Sequence, residues 1–193
     1  MPRLLWRGAW AMLFGVIGAG LVTAALLSGG AADPPRAGRL IWQAGPLPDA
    51  VASVYYSTIV GSPIDLPARP YTLEVTGQLA AGSDPAASWG ITCEAAEAAG
   101  TPFSIRLDGQ GFFSFLPFQP DFMPFMHINP VGEANQLTLN VEASGQATLR
   151  INDEIAWRGA IPDARSAQIV LVGGRVTSSR LAVQRFDLYA PTP

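Results

Sequence analysis

Lysine is absent from this chain of 193 residues, and all 12 of its basic side chains are arginine. Arg3 and Arg7 precede the first apolar run, which leaves 10 Arg against 15 Asp and Glu from Asp33 onward, a balance of −5. An acidic domain without basic clusters is a poor partner for nucleic acid, because phosphate affinity comes mainly from Lys and Arg. Charge of either sign is sparse. Only 14% of residues are charged and 49% are hydrophobic, which argues against long disorder.

Cysteine and histidine occur once each. A lone Cys93 excludes an intrachain disulfide and any multi-cysteine metal site, and it reads as a buried, inert thiol on a strand. A lone His127 falls short of a metal centre and reads as a structural or loop residue. The chain has no Gly-x-Ser-x-Gly nucleophile and no loop with the oxygen-ligand spacing of a Ca²⁺ site. Neither a metal nor a cofactor is expected, and no catalytic machinery is visible.

Helical periodicity is nearly missing too, with one exception at the start. Gly8 to Leu27 reads GAWAMLFGVIGAGLVTAALL without a charge. A run of this length spans a hydrocarbon core of about 30 Å. Arg3 and Arg7 lie before it and no basic residue follows until Arg36, so the positive-inside rule puts the N-terminus in the cytoplasm and the domain outside. The run exceeds the apolar core of a cleaved signal peptide, although the small residues before Asp33 would suit a cut after Ala32. Ala11, Gly15, Ala19 and Thr23 recur every fourth residue, a small-residue stripe that suits close helix packing in lipid. The expected division is residues 1–7 cytoplasmic, 8–28 a transmembrane anchor, 29–38 a short linker and 39–193 one domain. The expected location is the cell membrane, single-pass, with the C-terminal domain extracytoplasmic.

Beyond the linker the pattern has period two. Tyr71, Leu73 and Val75 alternate with Thr72, Glu74 and Thr76. Leu137, Leu139 and Val141 alternate with polar neighbours, as do Ala147, Leu149 and Ile151. Half-buried strands read this way. Turns are expected at Ala143-Ser144-Gly145, Asn152-Asp153 and Gly173-Gly174. In RLAVQRFDLYA the apolar phase slips near Gln184-Arg185, which calls for a bulge. Glu94 to Gly100 is either a short helix or a polar loop. The Gly-x-Gly of RLDGQGFFSF follows one strand and opens another, not a helix, so it predicts a hairpin turning at Asp108-Gly109 rather than a phosphate cradle. The fold class is therefore all-β, an antiparallel jelly-roll sandwich preceded by one transmembrane helix.

The order YTLEV, WGITC, FSIRLDGQGFFSF, NQLTLNV…GQATLRIND and LAVQRFDLYA resembles the concanavalin A-like lectin/glucanase superfamily from Tyr71 to Ala190. It is most similar to laminin-G-like and 3-keto-disaccharide hydrolase type domains. The resemblance implies two antiparallel sheets. Members that cleave glucans carry Glu, Asp and Glu at alternate strand positions, and this chain has no such triplet. Adjacent Asp153 and Glu154 read as turn residues.

One segment departs from the family. Six of the nine Phe lie between Phe112 and Phe125, beside Met123 and Met126. The prolines Pro117, Pro120 and Pro124 argue for an irregular loop that either caps one end of the sandwich or presents an apolar contact surface. Phe118, Phe122, Met123, Phe125 and Met126 are the expected partner-binding residues.

The leading expectation is a membrane-anchored, non-catalytic module that serves as an accessory or protein-interaction subunit of a membrane complex. It would contact lipid through its anchor and a membrane protein through the loop. The alternative is a carbohydrate-binding module using Trp89, Trp157, Asn152, Asp153 and Arg158, with a glycan hydrolase third. The anchor reading requires that N-terminal sequencing of the mature protein find no new terminus at Asp33; cleavage there would overturn it.

Overall fold

The structure is a computed structural model that describes residues 36–97 and 100–191. The anchor, its packing stripe Ala11, Gly15, Ala19 and Thr23, and most of the linker lie outside the described residues. Among the described residues no helix is long and apolar enough to cross a membrane.

Among the described residues, thirteen strands pair antiparallel in two sheets. The seven-stranded sheet runs β1 (Arg39–Ala44), β13 (Ser179–Ala190), β4 (Tyr71–Leu79), β9 (Ala134–Val141), β10 (Gln146–Ile151) and β11 (Glu154–Ala160), with β2 (Ala50–Ala52) also on β13. The six-stranded sheet runs β3 (Ser57–Asp65), β12 (Ala164–Val172), β5 (Ser88–Ala95), β6 (Phe103–Asp108), β7 (Phe112–Leu116) and β8 (Gln119–Pro124). The inward rows of period two meet in one core. Leu73, Leu139 and Leu149 come from the first sheet, and Ile91, Ile105 and Leu171 from the second. Cys93 is fully buried in that core, and burial pushes its thiol far up from the ordinary range.

The slip in the last strand is a bulge between Val183 and Arg185 where β13 pairs with β4. It reverses the phase, so that Val183 and Phe186 both face inward. Asn152 and Asp153 turn the β10–β11 hairpin with φ of 50° and 69°, as a two-residue primed turn requires. The Glu94 to Gly100 stretch is not helical in its described part: Glu94 and Ala95 end β5, and Ala96 and Glu97 form a bend.

The β6–β7 connection is a turn between strands, but its glycines divide the work differently from expectation. Gly111 holds the positive φ, 91°. Gly109 is required for space instead, since a Cβ there would sit 2.4 Å from Val131 Cγ2 and 3.1 Å from the Pro85 carbonyl oxygen. The Asp108 Oδ1 accepts the amides of Gln110 at 3.0 Å and Phe112 at 2.8 Å, which closes the turn from within.

The Phe-rich segment is not an irregular loop. Residues Gln119–Pro124 form edge strand β8 on β7, with a register shift between Phe113 and Phe115. Prolines are tolerated because an edge strand needs amide partners on one side only. Phe118 lies in the β7–β8 turn and stacks on Phe115 at 5.2 Å and on Trp157 at 5.5 Å. Phe115 and Trp157 meet at 4.5 Å. This trio ties the β7–β8 end of one sheet to β11 of the other and closes that flank. Phe125 turns inward onto Phe113 at 5.7 Å. Phe118, Phe122, Met123 and Met126 remain exposed, Met126 at 90%, and of these Phe118 alone makes the ring contacts just described.

Two outcomes follow from these contacts. Gly109→Val should lower the melting temperature through overpacking worth about 1–3 kcal/mol; an unchanged melt would show that the turn accepts a side chain. Phe118→Ser should cost about 1–3 kcal/mol, whereas Phe122→Ser should stay within about 0.5 kcal/mol. Equal melting of the two variants would refute the division between Phe118, held by ring contacts, and Phe122, which has none of them.

Candidate ligand-binding site

The inward phase of β5 and β6 decides what they show to solvent. Trp89, Ile91, Ile105 and Leu107 face the core, so Ser88, Gly90, Arg106 and Asp108 face outward. Register aligns Val172, Ser88 and Asp108 in one cross-strand row, with Gly90 opposite Arg106 in the next. Phe112 and Phe122 add aromatic walls, and Arg175 stands on the rim. Together with Ala86 and Gln110 these groups enclose a cleft of about 400 Å³ on the outer face of the six-stranded sheet.

The electrostatics of the cleft are uneven. Burial pushes the Asp108 carboxyl above the ordinary carboxylate range, while the amides of Phe112, Gln110 and Gly111 hold it back. Arg106 has one weak side-chain contact, from its Nε to Ser104 Oγ at 3.4 Å. Arg106 and Arg175 make no ion pair among the described residues.

A neighbouring carboxylate secures the rim. Asp84 is buried, and its Oδ2 accepts the amides of Arg175 and Val176 at 2.6 Å each and of Thr177 at 3.4 Å. Its Oδ1 accepts the Ala86 amide at 2.9 Å. These backbone donors, Val176 foremost, hold the Asp84 carboxyl below its ordinary range. The loop carrying Arg175 is thereby fastened to the loop between β4 and β5.

A second polar group lies on the outer face of the seven-stranded sheet. Glu74 on β4 stands directly opposite Asp187 on β13. Arg36 holds Glu74 through both carboxylate oxygens, with Nη2 to Oε2 at 2.9 Å. Asp187 Oδ2 pairs with Arg185 and accepts the Tyr189 hydroxyl at 3.1 Å. The Arg36 guanidinium lies 5.1 Å from the centre of the Tyr189 ring. Glu74 and Asp187 are 4% and 0% exposed, so neither carboxylate meets solvent. Spacing rules missed this pair because its members are 113 positions apart in the chain and only strand pairing unites them.

A larger opening of about 630 Å³ runs along the flank between β1 and β3, beside Trp42, Leu47, Phe186 and Leu188. Asp65 is the one charged group lining it, so it offers a hydroxylated ligand few hydrogen bonds.

The residues expected to bind carbohydrate do not assemble. Trp89 is 1% exposed, and its ring lies where a Cβ on Gly77 would sit 2.9 Å away, so it serves as core and offers no platform. Trp157 faces inward against Phe115 and Phe118. The Asn152 side chain is spent on structure: its Nδ2 donates to the His127 carbonyl at 2.6 Å and its Oδ1 accepts the Gln136 amide at 2.8 Å. Asp153 is exposed in the turn, and Arg158 is exposed on β11 opposite Thr148, away from the inward ring of Trp157. Of the expected partner-binding residues, Phe122 lines the outer cleft, Phe125 packs inward on Phe113, and Phe118 is exposed at 39% while touching Phe115 and Trp157. The cleft itself was foreshadowed only by the alternation in FSIRLD, which marks Arg106 and Asp108 as outward.

No protein-family model matches the chain, and no curated protein matches its sequence. Solved structures do. The Emp47p carbohydrate recognition domain matches with a TM-score of 0.50 at 9% identity, over 70% of this chain and 78% of that one. The metal-free Emp46p carbohydrate recognition domain matches at 0.51 and 8% identity, over 75% and 89%. A structure from work on endo-acting O-glycanases of the human gut microbiota that initiate mucin breakdown matches at 0.52 and 9% identity, over 75% and 79%. At such identities the likeness concerns architecture alone, a jelly-roll sandwich of two antiparallel sheets.

Proposed function

We propose that this protein is a non-catalytic carbohydrate-binding module, and that glycan binds in the outer cleft of the six-stranded sheet. The observation that carries this reading is the convergence of Phe112 and Phe122 with Arg106, Asp108, Ser88 and Gln110 in one open cleft. Sugar rings present apolar C–H faces and a belt of hydroxyls. Aromatic walls with a few placed polar groups complement both. The carbohydrate recognition domains among its structural neighbours agree with this reading. The apolar run at Gly8 to Leu27 would hold the module at the outer face of a membrane.

A hydrolase reading has one point in its favour, the facing carboxylates Glu74 and Asp187. Glycoside cleavage needs one carboxyl that carries a proton and one that does not, both open to substrate. Here each is buried and paired with a guanidinium, so we read the pair as a fastening for the start of the domain on β4 and β13.

A glycan array probed with the purified protein should retain it on at least one glycan class. Phe122→Ala should weaken that binding about tenfold, the effect of losing one aromatic contact, with the melting temperature unchanged. Retention on no glycan would refute the proposal, and so would full binding by the Phe122→Ala variant.

A further inference from the structure

We infer that the cleft takes an acidic glycan, with Arg106 and Arg175 gripping a sugar carboxylate; this rests on the carbohydrate reading above. The inference comes from where the domain's charges go. From Asp33 onward carboxylates outnumber guanidiniums by 15 to 10. Partners are in surplus, and Arg36, Arg69, Arg165 and Arg185 each have one, in Glu74, Asp163, Glu94 and Asp187. Arg106 and Arg175 reach the same cleft from different elements, β6 and the β12–β13 loop, and neither has an acidic partner among the described residues.

The nearby acids do not fill that role. Asp108 lines the same cleft, but it forms no ion pair with either arginine, and its Oδ1 is spent on the Gln110 and Phe112 amides. Asp84 stands beside the rim, and its oxygens are taken by the amides of Ala86, Arg175, Val176 and Thr177. Two half-open guanidiniums therefore face the ligand space.

A guanidinium presents a planar fork of donors, which matches a planar carboxylate in a way a single hydroxyl does not. Ser88 and Gln110 add a small hydroxyl and an amide to the same lining. Asp108 is placed to accept from a hydroxyl of the same or the next sugar. Phe122 and Phe112 then border the less polar face of the ring. A uronic acid within a glycan chain combines all of these features.

The test uses alginate, polygalacturonate and hyaluronan, each beside its carboxyl-reduced neutral form, with binding followed by titration calorimetry. The protein should bind at least one acidic polymer, and carboxyl reduction of that polymer should weaken binding about tenfold or more. Binding should also weaken as salt rises. Arg106→Gln and Arg175→Gln should each lower affinity about tenfold, and Arg106→Lys should restore only part of it. Thermal melts of each variant separate loss of contact from loss of fold, and Arg175→Gln, on an exposed side chain, keeps the test open if Arg106→Gln unfolds. Equal affinity for reduced and acidic polymers, or unchanged affinity in the folded arginine variants, would overturn the acidic-ligand inference and leave the carbohydrate reading standing. Binding only to neutral glycans on the array would do the same. Failure to bind any glycan, acidic or neutral, would remove both.

Discussion

The indole of Trp89 lies across the bare backbone of Gly77, and this contact joins the two sheets. Even a methyl group on Gly77 would collide with the ring, so β4 and β5 approach as they do because one strand has no side chain where the other has its largest. With Trp89 pointing inward, strand geometry sends Ser88 and Gly90 outward. The register of β6 on β5 then turns Arg106 and Asp108 the same way. The outer cleft is thus a consequence of an inner contact: its polar floor exists because the alternate positions are committed to the core.

The alternation of apolar and polar residues announced β4, β6, β9, β10 and β13, since each sends one apolar row into the core. The bulge at Val183 to Arg185 was equally readable, because a slip of phase in a strand has few other causes. Strands β1, β2 and β3 were not readable. They lie at or near the edges, and their apolar residues Leu40, Ile41, Val51 and Ile59 are exposed, so burial imposes no regular pattern on them. Strand β8 was obscured by its prolines, which normally argue against pairing. An edge position removes that objection, and only the tertiary arrangement reveals which strand is the edge.

The candidate site was less readable than the fold for a related reason. Trp89 and Trp157 were reasonable sugar platforms by residue type, yet both were recruited to packing, one between the sheets and one along a flank. Asn152 was recruited by the turn it makes. The groups that do share a cleft, Arg106, Asp108, Phe112, Phe122 and Arg175, come from four strands or loops with no common spacing. Convergence across strands depends on register, and no short stretch of the chain encodes register by itself.

The clasp made by Asp84 links the evolution of two loops. One carboxylate accepts amides from residues 175–177 while sitting in the connection between β4 and β5. A carboxylate held by backbone donors stabilises the folded state above its ordinary titration range and loses that contribution only as pH falls toward its lowered value, so the clasp holds through neutral and mildly acidic conditions. Neither loop can lengthen or shift alone without forfeiting those bonds. Variation at this end of the fold is therefore confined to side chains on a rim of constant shape, and the turn at residues 109–111 shares that constraint, since Gly109 packs on Pro85 and donates to the Ala87 carbonyl of the clasped loop.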